Sequence, residues 1–278
     1  MLTDRSFQSG DLTLHFVLGP PAGGPLVCLH GVTRSWSDFS VLMPSLALRW
    51  KIHSLDFRGH GQSQRSAGEY LVVDYVRDVV TLVEKHVSEP VVLYGHSLGA
   101  MVAASVAAQL PDVVRGIVLE DPPFETMGTG IAETPFLAFF QGMQAVASMN
   151  GSVEELAAAL GDIRLPAGRL GDLRDAVSLR YSASCLQSMD PETLTPVNEG
   201  RWLDGYSWDD ILQAVRCPAL LLQADSAAGG MLPDAAAEQA TRWMHNCTRI
   251  RVPEVGHLIH WVKPAETLCW VTQFLETL

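Results

Sequence analysis

The sequence lacks the features that would staple, anchor or extend it. Its five cysteines, Cys28, Cys185, Cys217, Cys247 and Cys269, form no CxxC pair, and their number is odd. That disfavours a zinc site and a disulfide framework. Most sit in apolar surroundings such as LVCLH and TLCW and read as small buried hydrophobes of a reducing compartment. No run of 18 apolar residues occurs, so no transmembrane helix is expected. The N-terminus, MLTDRSFQSGD, has no cationic start followed by an apolar stretch, so no signal peptide is expected. A cytoplasmic protein without membrane contact is the resulting expectation. Cations are scarce: 19 Lys and Arg stand against 31 Asp and Glu, a net charge of -12, with no basic cluster. Phosphate contacts need clustered cations, so a nucleic-acid partner is disfavoured. Internal repeats and low-complexity tracts are missing as well.

What is present fits a globular chain. Hydrophobic residues make up 47% and charged residues 18% of the 278, which excludes a disordered or fibrous chain. The length suits one large domain, or one core with a sizeable insertion.

The first half alternates short apolar runs with helical periodicity. Residues 11–18 alternate as an edge strand would, and residues 19–25 (GPPAGGP) are a turn cluster. Residues 26–29 and 51–55 read as strands, with a helix over 36–48 between them. Residues 70–87 place apolar side chains at helical spacing, with Asp74, Arg77, Asp78 and Glu84 on the wet side. A strand at 90–94, a helix at 98–110 and a strand at 116–119 follow. Such alternation predicts a mostly parallel sheet with helices on both faces. From 122 to 214 the strand signals stop, and helix-favouring stretches (135–148, 153–160, 170–182) take over. Alternation resumes at 218, with a helix at 233–244, a strand at 248–252 and a helix at 264–278. The expected organisation is therefore an α/β core of residues 1–121 and 215–278, with a helical cap inserted at 122–214. An insertion after the carboxyl end of a strand lies over the place where such sheets bind ligands, so it reads as a lid.

Four segments carry chemistry. PVVLYGHSLGA (90–100) holds Gly95, Ser97 and Gly99 as G-x-S-x-G, after a buried strand and before a helix. A sharp strand-to-helix turn presents a serine Oγ above the sheet, and the flanking glycines let backbones approach. The Leu98 N–H then lies at a helix N-terminus, where a developing oxyanion is favoured. LVCLHGV (26–32) offers the Val32 N–H as a second oxyanion donor; its His30 reads as a structural histidine, with Arg34 and Trp36 as candidate pocket residues. In LDFRGHGQS (55–63), the glycines suggest a tight loop whose backbone is bonded by Asp56, Arg58 and His60. VPEVGHLIHWVKP (252–264) places His257 on a loop after a strand, where it can reach Ser97 as a general base. His260 is a candidate pocket residue.

Together and in this order, HGV, DFRGHGQS, GHSLGA and GHLIH resemble the α/β-hydrolase fold family, over almost the whole chain outside the insertion. The resemblance implies a serine nucleophile, a histidine base and an acid, in the chain order Ser, Asp or Glu, His. Carried over, Ser97 is the nucleophile, His257 the base, and Val32 and Leu98 the oxyanion-hole amides. The esterase, lactonase and amidase branches with a lid are the most similar. One departure concerns the acid. The usual place falls in LLLQADSAAGGMLP (220–233), where Ala227 stands at the expected position and Asp225 two residues earlier. The other known place is the end of the strand in GIVLEDPPF, which offers Asp121, with Glu120 beside it. Asp121 is the expected acid, with Asp225 as the alternative.

The function expected is a serine hydrolase of small carboxylic esters or lactones, with amides as a further option, acting on a small-molecule substrate without metal or organic cofactor. A carbon–carbon bond hydrolase, a cofactor-independent lyase and a non-catalytic small-ligand receptor on the same scaffold are the alternatives. Ser97 argues against the dehalogenases and epoxide hydrolases of the fold, which use an aspartate nucleophile. Met127, Phe136, Phe139, Phe140 and Met143 are spaced to make an apolar lid face or an ordinary packed helix. Arg180, among small and apolar residues, suits a substrate carboxylate or a surface salt bridge.

Overall fold

The computed structural model describes residues 2–87 and 89–278. Among the described residues ten strands form, and eight of them build one sheet. These are β1 (Thr3–Ser9), β2 (Leu12–Leu18), β3 (Pro25–Leu29), β4 (Lys51–Leu55), β5 (Val91–His96), β6 (Val114–Glu120), β9 (Ala219–Ala224) and β10 (Cys247–Val252), in the order β1-β2-β4-β3-β5-β6-β9-β10. The pairings β1–β2 and β2–β4 are antiparallel and the rest are parallel. The segment expected to be an edge strand is thus second from the edge. The true edge is β1, whose outward side chains are mostly polar and exposed.

Strand side chains alternate between two apolar clusters. On β3, Val27 and Leu29 join one cluster while Leu26 and Cys28 join the other; on β5, Leu93 faces the first cluster and Tyr94 the second. Both faces are therefore buried, which is why these strands read as continuous apolar runs rather than as an alternation. Helices Val72–Leu82 and Leu98–Gln109 cover one face, and helix Pro264–Leu275 covers the other.

Side-chain caps set several helix starts. Asp74 accepts from the Leu71 N–H at 2.9 Å before helix Val72–Leu82. Ser152 and Glu155 bond each other's backbone N–H groups before Val153–Asp162. Asp175 accepts from the Ser178 N–H at 2.9 Å and starts Ala176–Gln187. Of the expected helices, 36–48 is only a short 3₁₀ turn (Trp36–Phe39) followed by Met43–Leu46, with Pro44 in its first turn. The expected helix 170–182 breaks into Leu170–Leu173 and Ala176–Gln187, with Arg174 extended between them.

Between β6 and β9 the chain is mostly helical, with one two-residue hairpin, β7 (Arg164–Leu165) against β8 (Gly168–Arg169). Among the described residues, no helix is long and apolar enough to cross a membrane, and the five cysteines are free thiols.

Candidate active site

The carboxyl ends of β3, β5 and β6, and the loop after β10, meet at one edge of the sheet. Ser97 follows β5 and precedes helix Leu98–Gln109, with φ +54° and ψ −116°. A non-glycine residue at positive φ is strained, and the surroundings hold it there. The Ser97 N–H donates to the Glu120 carbonyl at 2.9 Å. A Cβ at Gly95 would lie 2.1 Å from the Gly99 carbonyl oxygen, and one at Gly99 would lie 1.9 Å from that of Leu29. The turn can close only because both positions are glycine.

Gly31 does the same for the neighbouring loop. A Cβ there would come within 2.9 Å of His96 Nδ1 and 3.2 Å of Ser97 Cβ, so its absence lets the His-Gly-Val segment lie against the serine. Neither the Val32 nor the Leu98 N–H donates to a backbone carbonyl among the described residues. Leu98 opens its helix, where the first amides have no intrahelical acceptor.

His30 is buried beside this loop. Its Nδ1 bonds the Gly31 carbonyl at 2.7 Å, and its Nε2 accepts the Phe57 N–H at 3.1 Å. Burial lowers its pKa, so the ring is a neutral brace. His60 likewise bridges the Arg58 carbonyl and the Thr33 N–H, with burial pushing it down to about 3. Asp56 accepts from the Trp36 and Gln62 N–H groups, and Arg58 pairs with Asp78 at 2.7 Å. This segment is a structural loop.

The two candidate acids occupy different surroundings. Asp121 follows β6 at φ +44° and is fully buried. It accepts from the backbone N–H groups of Ala224, Met231 and Leu232 at 3.2, 2.8 and 3.3 Å. Its Oδ2 lies 2.6 Å from His257 Nδ1. Asp225 sits in a surface turn, accepting from the Ala227 and Glu254 N–H groups, each at 3.0 Å, and makes no bond to His257. Burial lowers the His257 pKa, opposed by Asp121. Ser97 and His257 line the same cleft, and no hydrogen bond joins them directly in this arrangement. Such bonds often tighten only when substrate is bound.

Beneath the site lies a buried charged network. His260 Nδ1 stands 2.7 Å from Glu120 Oε1, and its Nε2 stands 3.7 Å from Asp38 Oδ1. Tyr94 and Trp261 donate to Glu120 and Asp38 at 2.7 and 3.0 Å. Burial would lower the His260 pKa, but the two carboxylates outweigh it and raise it to about 10. His96, 3.3 Å from Asp38, reaches the His257 carbonyl at 3.0 Å.

The cleft has roughly 390 Å³ of empty space, part of it continuous with solvent. Val32, Arg34, Ser97, His257, Phe139, Phe140, Met143 and Arg174 are among its walls. Residues from between β6 and β9 thus line the same cleft as Ser97. Two expected pocket residues are corrected. His260 is buried in the network below, and Trp36 packs against the apolar cluster on the other face, its backbone held by Asp56 and Ser54. Phe139, Phe140 and Met143 reach the cleft, whereas Met127 is wholly buried. Arg180 pairs with Glu154 at 2.7 Å on the surface. Arg174 was not singled out in the sequence. It lies in a run of alternating charges, GRLGDLRDA, that reads as a solvated helix face. Among the described residues, no three His, Cys, Asp or Glu side chains are grouped so as to hold a metal ion.

The sequence profile of the alpha/beta hydrolase fold matches residues 24–264. The chain is 28% identical over 282 residues to 2-(acetamidomethylene)succinate hydrolase of Mesorhizobium japonicum, covering 98% of this chain and 95% of that one. It is 26% identical to the 3-hydroxybutyrate-oligomer hydrolase of Cupriavidus necator, covering 87% and 85%. Among solved structures, a carboxylesterase from Bacillus subtilis superposes with a TM-score of 0.76 at 17% identity, covering 99% of this chain and 92% of that one.

Proposed function

The chain belongs to the α/β-hydrolase fold family, and from that premise we propose that it is a serine hydrolase of small carboxylic esters or lactones, with amides as a further option. One observation carries the proposal. A serine at positive φ in a turn that two glycines allow to close, and a histidine held by a buried aspartate 2.6 Å away, line one cleft. The relatives named above are hydrolases by name, which supports the class.

In this reading, Asp121 keeps the His257 proton on Nδ1 and leaves Nε2 as the base. Ser97 Oγ attacks the carbonyl carbon as its proton passes to Nε2. The carbonyl electron pair moves to oxygen, and the resulting oxyanion is held by the Val32 and Leu98 N–H groups. As the tetrahedral intermediate collapses, Nε2–H protonates the departing alkoxide or amine, leaving an acyl-serine. Water then attacks the acyl carbon, giving its proton to Nε2, and the acid departs with Ser97 restored. The inserted helices act as a lid that supplies the apolar wall opposite the serine.

The test is intact-mass spectrometry after incubation with a fluorophosphonate. A single adduct on the wild type, missing from Ser97→Ala, is the expected result. A folded wild type that forms no adduct would overturn the nucleophile assignment.

A further inference from the structure

Two cations share the cleft with the nucleophile. Arg34 is buried, and Arg174 is half-buried at the wall of the same cleft. A guanidinium taken out of water needs an anion or several acceptors to offset its lost hydration. Arg34 is partly supplied. Its Nε lies 3.8 Å from Asp38, its Nη1 donates to Ser182 Oγ at 3.2 Å, and it lies over the Tyr181 ring at 5.4 Å. Asp38 is shared, however, with His260 at 3.7 Å and His96 at 3.3 Å, so it does not neutralise Arg34 alone.

Arg174 has no such support. Among the described residues its side chain forms no ion pair and donates no hydrogen bond. Burial and the repulsion of Arg34 lower its pKa to about 10. The chain forces this position. Helix Ala176–Gln187 starts at its Asp175 cap, so Arg174 stands extended at the break and its side chain enters the cleft instead of lying along a helix surface. The other carboxylates nearby are engaged: Asp121 with His257, and Glu120 with His260. The net charge of the chain is -12, so an unbalanced cation beside the nucleophile runs against the general composition.

The geometry points to a substrate that carries a free carboxylate a short way from the scissile carbonyl, held by the Arg174 guanidinium with Arg34 beside it. This inference rests on the hydrolase reading and names its substrate class. Phe139, Phe140 and Met143 would then pack the short apolar link between the two ends. A planar guanidinium meets a carboxylate through two parallel N–H bonds, so this pair would fix the orientation of the acyl group over Ser97.

The experiment uses monoethyl succinate and ethyl butyrate. Both have the same ester and chain, with a carboxylate replacing the terminal methyl. Each is tested for slowing the fluorophosphonate labelling of Ser97, as substrate or as competitor. Labelling itself tests the hydrolase reading. The ratio of the two protection constants tests the carboxylate site. The expected wild-type ratio favours monoethyl succinate at least tenfold. It falls at least tenfold in Arg174→Gln and is partly rescued in Arg174→Lys. Equal protection by the two esters, or a ratio unchanged in Arg174→Gln, would overturn the carboxylate site while leaving the hydrolase reading intact. If Ser97 is not labelled, the hydrolase reading fails. The site is then judged by calorimetric binding of monoethyl succinate to the wild type and to Arg174→Gln, where equal affinities overturn it.

Discussion

Replacing Asp121 by Asn separates the chemistry of the site from its fold. Asn tolerates the left-handed backbone that Asp121 adopts at φ +44°, so the turn after β6 should survive. Oδ1 can still accept from Ala224 and Leu232. The change falls on Oδ2, which accepts from the Met231 N–H at 2.8 Å and faces His257 Nδ1 at 2.6 Å. An amide NH2 there leaves the Met231 N–H without its acceptor, at a cost of about 1–3 kcal/mol in stability. It also donates to Nδ1, which moves the His257 proton to Nε2 and, in the proposed mechanism, removes the base. In a Ser-His-Asp triad, that change of tautomer lowers turnover about 10⁴-fold, or about 5.5 kcal/mol in the barrier. The assay is initial-rate ester hydrolysis together with the fluorophosphonate labelling rate, set beside urea unfolding. Expected are a near-complete loss of both rates and a modest loss of stability. Asp225→Asn, in its exposed turn, should stay within about twofold of wild type, because Asn keeps the same turn geometry. If Asp121→Asn keeps more than a tenth of wild-type turnover, the assignment of the acid is wrong.

Three further outcomes follow from the geometry. Burial lowers the His257 pKa from its ordinary 6.5, so the acid limb of the kcat/KM profile should lie below pH 6.5; a limb above pH 7 would contradict this environment. Glu120→Gln should destabilise the fold by about 3–5 kcal/mol, because His260 is left charged and buried without its 2.7 Å partner. The raised His260 pKa and the lowered Glu120 pKa make that pair's contribution fully present between about pH 4.5 and 6.5 and lost as pH rises towards about 10, so the wild-type and Glu120→Gln urea midpoints should converge as pH is raised above 6.5. Gly99→Ala should cost about 3 kcal/mol or more, since its Cβ would sit 1.9 Å from the Leu29 carbonyl oxygen; a melting temperature within a few degrees of wild type would show that the turn can relax.

Local patterning alone carried most of the architecture. Strands buried on both faces read as short apolar runs. The glycines around Ser97, and those following Asp56, marked tight turns because few other residues fit there. Ser97, His257, Val32 and Leu98 could be picked out as candidates because each lies next to a strand end or a helix start, and these positions are local. Other features depend on what lies across space. Asp121 and Asp225 are both aspartates at strand ends, and only the packing of β6 against β9 decides that the first is buried behind His257 while the second caps a surface turn. His260 looked like a pocket residue until Glu120 and Asp38 enclosed it. Arg174 carried no local signal, because its role comes from a helix break and from the lack of a counter-charge. Sequence determines which conformations and periodicities are cheap along the chain; burial and charge balance between distant segments exist only once the tertiary structure has brought those segments together.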